Sequence, residues 1–207
     1  MRTGRIARFR RLPSFMSTRP GGQPEATTSA PVSAVRAVFL VGFMGAGKST
    51  VGLALSRKLG WAFEDLDDRI QARERRSIEQ IFEQSGEAAF RQAEHAALRA
   101  LIGGLGASSP TVVAVGGGAF AQANNAALLD ETGFSVIFLD APVEELFRRC
   151  QEQKLDRPLR RKLGEFRRLY ESRRPYYTKA AVRIDTSGKD VEKVAEEAIQ
   201  SLGFLRK

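Results

Sequence analysis

The chain predicts an α/β fold, a parallel sheet with helices on both faces, and three observations predict it. Short apolar runs alternate with segments of helical period from Val35 onward, the pattern of successive βαβ units. The first apolar run, Val38–Val41, leads straight into Gly42-x-x-x-x-Gly47-Lys48-Ser49, and a helical pattern follows. Two further unusual stretches, the acidic Glu64–Asp68 and the triple glycine Gly116–Gly118, also follow apolar runs. Open α/β sheets bind ligands at the carboxyl ends of their strands, where both stretches fall.

The elements follow in order. A strand over about 36–41 enters the glycine loop, and Val51, Ala54, Leu55 and Leu59 recur at helical spacing behind it. Trp61–Leu66 reads as a second strand, and either Asp67 or Asp68 is placed to cap the helix after it. Glu87–Ile102 is helical, with Phe90, Ala93, Ala97 and Leu101 on its apolar face. Thr111–Val115, bounded by Pro110 and Gly116, makes a third strand; Ser135–Leu139 and Val182–Ile184 make a fourth and a fifth. Asp140, in Asp-Ala-Pro, reads as a helix start rather than a metal position. No internal repeat is present.

Composition narrows the function classes. A chain of 207 residues with 43% apolar content can bury one substantial core. Its longest apolar stretch, Ala37–Gly47, is glycine-rich and far short of the roughly 20 residues a bilayer span needs. One cysteine, Cys150, excludes internal disulfides; its helical setting suits a buried thiol rather than a nucleophile. The only histidine, His95, suits helix packing better than base chemistry. The net charge of +9 is unevenly spread: residues 1–36 hold seven arginines against Glu25, leaving +3 for the rest. A mildly basic body suits small anions better than a nucleic-acid backbone tracked over many contacts. Residues 1–34, rich in Arg, Pro, Ser and Thr, read as a disordered basic extension. An organellar presequence, or a start at Met16, are the alternatives.

Three stretches carry chemistry. In the first, glycines let backbone N–H groups converge on phosphates while the helix adds its positive end. Gly45, Ala46, Gly47, Lys48, Ser49 and Thr50 are therefore expected to hold a nucleoside triphosphate, Lys48 at the β/γ-phosphates and Ser49 on Mg2+. In the second, carboxylates of Glu64–Asp68 suit Mg2+ or a substrate hydroxyl. In the third, Gly116, Gly117 and Gly118 allow close approach of backbone N–H groups to a ligand. The isolated arginines Arg91, Arg157 and Arg173 offer the planar fork that suits carboxylate and phosphate.

From Val35 to Leu202 these stretches occur as GFMGAGKST, DLDD, SIEQIFEQSGEAAFRQAE, GGGAF, DRPL, RRPYY and IDTSGKDVEKV. In that order, with Asp-x-Asp, Phe-Arg-x-x-Glu, Gly-Gly-Gly, Arg-Pro-Leu and Arg-x-Pro-x-Tyr, the chain resembles the shikimate kinase family. The resemblance implies a three-layer P-loop kinase fold with a five-stranded parallel sheet. It also implies a small substrate-binding helical segment at about 67–103 and a lid at about 151–165, within a kinase domain spanning 35–207. It implies ATP-dependent phosphorylation of the 3-hydroxyl of shikimate, a step toward chorismate and the aromatic amino acids. Asp67 matches the carboxylate at the shikimate hydroxyls, and Asp65 would lie by Mg2+ beside Ser49. Arg91 and Arg173 match the pair that grips the shikimate carboxylate, over a floor made by Gly117 and Gly118. Arg157 on the lid would cover the ATP phosphates, and Arg149 resembles the adenine-stacking arginine. The spacing from Arg149 to Arg157 is one residue longer than the family pattern, and Val115 stands where many members have Thr.

On this resemblance the working unit is a cytoplasmic monomer using ATP, Mg2+ and shikimate, with no nucleic-acid or membrane partner. The organellar location holds instead if the basic N-terminus is a presequence. Three other readings stay open at the level of sequence: another small-molecule P-loop kinase such as a gluconate kinase, a catalytically silent nucleotide-binding protein, and a nucleic-acid-binding ATPase recruited through the basic extension.

Overall fold

The computed structural model describes residues 37–105, 109–152 and 162–203. The expectations for residues 1–34, for Arg157 and for most of the lid fall outside them. Five strands, β1 (Ala37–Val41), β2 (Ala62–Asp65), β3 (Thr111–Ala114), β4 (Ser135–Asp140) and β5 (Val182–Asp185), form one sheet in the order β2-β3-β1-β4-β5. Every pairing is parallel. β1 and β3 are buried along their whole length, so their sequences run apolar without alternation, as interior strands of a parallel sheet must. The edge strands β2 and β5 are part exposed and correspondingly mixed.

The helices are α1 (Lys48–Leu59), α2 (Leu66–Glu74), α3 (Ile78–Leu105), α4 (Ala123–Thr132), α5 (Val143–Glu152), α6 (Leu163–Tyr177) and α7 (Val191–Ser201), with a short 3-10 turn at Ala119–Ala121. The chain leaves β1 toward β2 through α1, and every later crossover runs the opposite way. Right-handed crossovers then put α1 on one face and α3, α4 and α6 on the other. α7 packs against α1. The direction reverses at β1, so the loop after β1 opens at the switch point of the sheet.

Several boundaries differ from the sequence reading, each for a local reason. β2 ends at Asp65, not Leu66, because Asp65 is the N-cap of α2: its carboxylate accepts from Asp67 N at 3.0 Å. Neither Asp67 nor Asp68 is the cap; both lie in the first turn, favourable for acids near the positive helix end. The helix expected from Glu87 is the second part of α3, preceded by Ile78–Ser85 across a non-helical Gly86 with φ 78°. β4 runs on to Asp140, and α5 starts only at Val143. Val115 lies beyond β3, although its N–H still donates to Leu40 O at 2.9 Å. Cys150 is fully buried, and His95 Nδ1 pairs with Asn125 Oδ1 at 2.7 Å, so both act in packing. Among the described residues no helix is long and apolar enough to cross a membrane.

Asp140 locks α6 to the sheet. Only 3% exposed, its carboxylate accepts from Tyr170 Oη (3.1 Å), Arg174 Nη2 (3.2 Å) and Arg183 Nη2 (2.8 Å). Tyr170, Arg174 and Tyr177 share one stripe of α6, so this anchor also sets where the end of the helix meets the sheet. Asp140→Ala should destabilise the fold by about 2 kcal/mol, the cost of leaving buried polar groups unpaired. It should not reach the roughly 3–5 kcal/mol of a stranded buried charge, because Arg174 and Arg183 are part exposed and can turn to water. Denaturant unfolding measures it, and an unchanged midpoint would remove the anchor from this account.

Candidate active site

The glycine loop closes over its own carbonyls. Lys48 Nζ donates to Gly42 O at 3.0 Å and to Phe43 O at 3.1 Å, so the ammonium is folded back over the loop. Gly47 caps α1 in the left-handed region (φ 85°) with no side-chain bond. With no side-chain cap at Gly47, the N-terminus of α1 is a ready anion site. Two loop glycines have a packing reason as well. A Cβ on Gly42 would sit 2.5 Å from Leu139 O, and one on Gly45 2.5 Å from Leu146 O. The loop rests on β4 and α5 so closely that only glycine fits.

Ser49 opens the next layer. Its Oγ donates to Asp65 Oδ2 at 2.5 Å, while the other Asp65 oxygen caps α2. Oxygen donors of this kind suit Mg2+, which is ordinarily held by one or two protein ligands plus phosphates and water. The residues fit that ion; among the described residues no cluster of three or more His, Cys, Asp or Glu offers a fuller cage.

Gly117 meets the phosphate loop, and Gly116 and Gly118 meet Asp67, Glu94 and Arg91. A Cβ on Gly116 would lie 2.6 Å from Asp67 Oδ1 and 3.4 Å from Glu94 Oε1; one on Gly118 would lie 2.7 Å from Arg91 Nη1. Gly117 packs within 3.7 Å of Gly42 O by the same measure. Arg173 Nη1 donates to Gly117 O at 3.4 Å, and its guanidinium lies 5.9 Å from the centre of the Phe43 ring in the phosphate loop. Asp67, Arg91 and Arg173, far apart in sequence, thus border one glycine wall, and Gly42, whose carbonyl holds Lys48, lies against Gly117.

Two contributors carry no role in the sequence reading. Glu94 is 1% exposed and accepts from Arg91 Nη1 at 2.9 Å, while Glu87 takes the other side of the guanidinium at 3.0 Å. Burial works against the Arg91 charge, but Glu94 and Glu87 outweigh it and hold the guanidinium above its ordinary value. Burial pushes the Glu94 carboxyl up, against the pull of Arg91. The available signal was the acid at i+3 and i−4 from Arg91 on one helix. Tyr177 is the second: wholly buried, it donates its hydroxyl to Gly117 O.

Arg149, in the last turn of α5, reaches Thr186, the residue after β5. It donates to Thr186 Oγ1 (2.9 Å), Thr186 O (2.8 Å) and Glu145 Oε1 (2.6 Å).

The family model described as shikimate kinase matches residues 44–203. The chain belongs to the shikimate kinase family. It is 40% identical over 166 residues to the shikimate kinase of Persephonella marina, covering 80% of this chain and 98% of that protein. The shikimate kinase of Geobacter sulfurreducens is 44% identical over 165 residues, covering 78% and 88%. Among solved structures, Acinetobacter baumannii shikimate kinase in complex with shikimate aligns with a TM-score of 0.74 at 34% identity, covering 83% of this chain and 94% of that one. A gluconokinase from Sinorhizobium meliloti aligns at 0.60 with 19% identity over 82% and 93%, a likeness of fold alone. The five-stranded parallel P-loop kinase architecture expected of a shikimate kinase is the one this chain has.

Because Glu94 binds its proton more tightly in the folded chain than when unfolded, its contribution to stability falls as pH rises through its raised pKa. The Tm of Glu94→Gln relative to the unaltered chain should therefore improve as pH rises from the ordinary glutamate range toward neutrality. Thermal unfolding across that window checks it, and the opposite trend would mean that Arg91 outweighs burial.

Proposed function

We propose that this shikimate kinase family member transfers the γ-phosphoryl group of ATP to the 3-hydroxyl of shikimate, giving ADP and shikimate 3-phosphate. The observation that carries this reading is the glycine wall: a triphosphate loop on one side, Arg91, Arg173 and Asp67 on the other. Two guanidinium forks suit the shikimate carboxylate. A carboxylate beyond them suits its hydroxyls, so one end of the substrate is gripped while the other faces the phosphates.

Each residue then has a part. Gly45, Ala46, Gly47 and Thr50 supply the loop and helix start that hold the phosphates, and Lys48 leaves its loop carbonyls for the β/γ-phosphates. Ser49 and Asp65 would hold Mg2+, which would neutralise charge on the phosphates. Asp67 orients the attacking hydroxyl and accepts its proton. Gly116, Gly117 and Gly118 floor the acid pocket. Arg157, outside the described residues, is assigned to the charge on the transferring group, and Arg149 to adenine, with its fork held by Thr186 and Glu145. Positioning and electrostatics supply most of the rate in such transfers, so loss of the base should cost less than loss of the charge clamps.

A gluconate kinase is the second reading, since paired arginines also suit gluconate. A coupled assay of ADP release with shikimate, gluconate and no acceptor separates the two, and should show release above background with shikimate alone. Asp67→Asn in the same assay should lower kcat by roughly 10²–10⁴-fold with little change in KM for ATP. Gluconate-dependent release would replace the reading, and an unchanged kcat would remove Asp67 from it.

A further inference from the structure

The middle carbonyl of the triple glycine is held differently from its neighbours. Gly116 O accepts from Ala119 N at 3.0 Å and Gly118 O from Ala121 N at 3.2 Å, so the turn that follows fixes both. Gly117 O faces α6 instead, where it accepts from the Tyr177 hydroxyl and, at a long 3.4 Å, from Arg173 Nη1. Three successive glycines have little conformational preference of their own. The orientation of the central peptide therefore rests on these two side chains, sixty and fifty-six residues away in sequence.

Peptide planarity extends the consequence by one atom. In a trans peptide the C=O and N–H point to opposite sides, so turning Gly117 O toward α6 turns Gly118 N–H away from it. Gly118 is buried, and among the described residues its N–H meets no acceptor. Buried amides seldom stay unpaired, so this one calls for a ligand oxygen. The Arg91 guanidinium lies over the same residue.

We propose that Tyr177 is a positioning residue for the acid substrate. Its hydroxyl on Gly117 O aims Gly118 N–H into the pocket and leaves the Arg173 fork to the substrate carboxylate. The surroundings of the side chain hold it in that position. Its ring packs on Phe138 with centroids 5.4 Å apart, and its exposure is nil. Burial raises the hydroxyl well above the ordinary tyrosine range, against the nearby Arg173 and Arg91 charges, so it stays a donor. Without that hydroxyl, Arg173 becomes the only donor to Gly117 O among the described residues and is drawn toward it.

This inference rests on the kinase reading above, and its test separates the two. Steady-state kinetics of the full chain carrying Tyr177→Phe, which keeps the ring, should show KM for shikimate raised roughly three- to tenfold. KM for ATP and the Tm should stay close to those of the unaltered chain. A lowered Tm with both KM values unchanged would mean a merely structural tyrosine and would overturn the proposal. If the unaltered chain releases no ADP with shikimate, the kinase reading falls and the proposal with it. Should the variant not fold, the amide resonance of Gly118 in the unaltered chain decides: shikimate must shift it, and an unmoved signal overturns the proposal.

Discussion

The missing Cβ atoms along Gly116–Gly118 are the constraint on which the site depends. At Gly116 a methyl group would strike Asp67, and at Gly118 it would strike Arg91. Between them, Gly117 packs against the phosphate loop. With no side chains there, the phosphate loop lies against Gly117 while Asp67 and Arg91 close on Gly116 and Gly118. A side chain at Gly116 or Gly118 would displace Asp67 or Arg91, and phosphoryl transfer relies on positioning above all.

The surrounding fold keeps that wall in place. β1 and β3 are buried apolar strands whose ends deliver the phosphate loop and the glycine run side by side. Asp140 pins α6, which brings Arg173 and Tyr177 onto Gly117. Glu94 and Glu87 hold Arg91 from both sides, turning a long flexible cation into a fixed one. Phe43, in the phosphate loop, lies under Arg173, so the two halves of the site also share an aromatic contact.

Much of this was legible in the sequence, because the determinants are local. Gly42 to Ser49 carries its own spacing, and the apolar runs of β1, β3 and β4 need no partner to be read. Boundaries failed where a cap decided them: Leu66, apolar behind Glu64 and Asp65, reads as strand, yet Asp65 ends the strand by accepting from Asp67 N. Glu94 looked polar on a helix and is buried, because burial there depends on Arg91 bending back over it. Tyr177 looked like part of a motif with no role of its own; its acceptor lies sixty residues earlier, beyond any local pattern. Arg149 resembles an adenine-stacking residue, but the anchor to Thr186 that fixes its fork emerges only from the folded chain.

The account is tested most directly by comparing shikimate with its methyl ester as ligands, by calorimetry, in the unaltered chain and in the double variant Arg91→Ala/Arg173→Ala. If the two guanidinium groups grip the carboxylate, the unaltered chain binds the acid more tightly than the ester, and the double variant loses that preference. A preference for the acid that survives removal of both arginines would contradict the account.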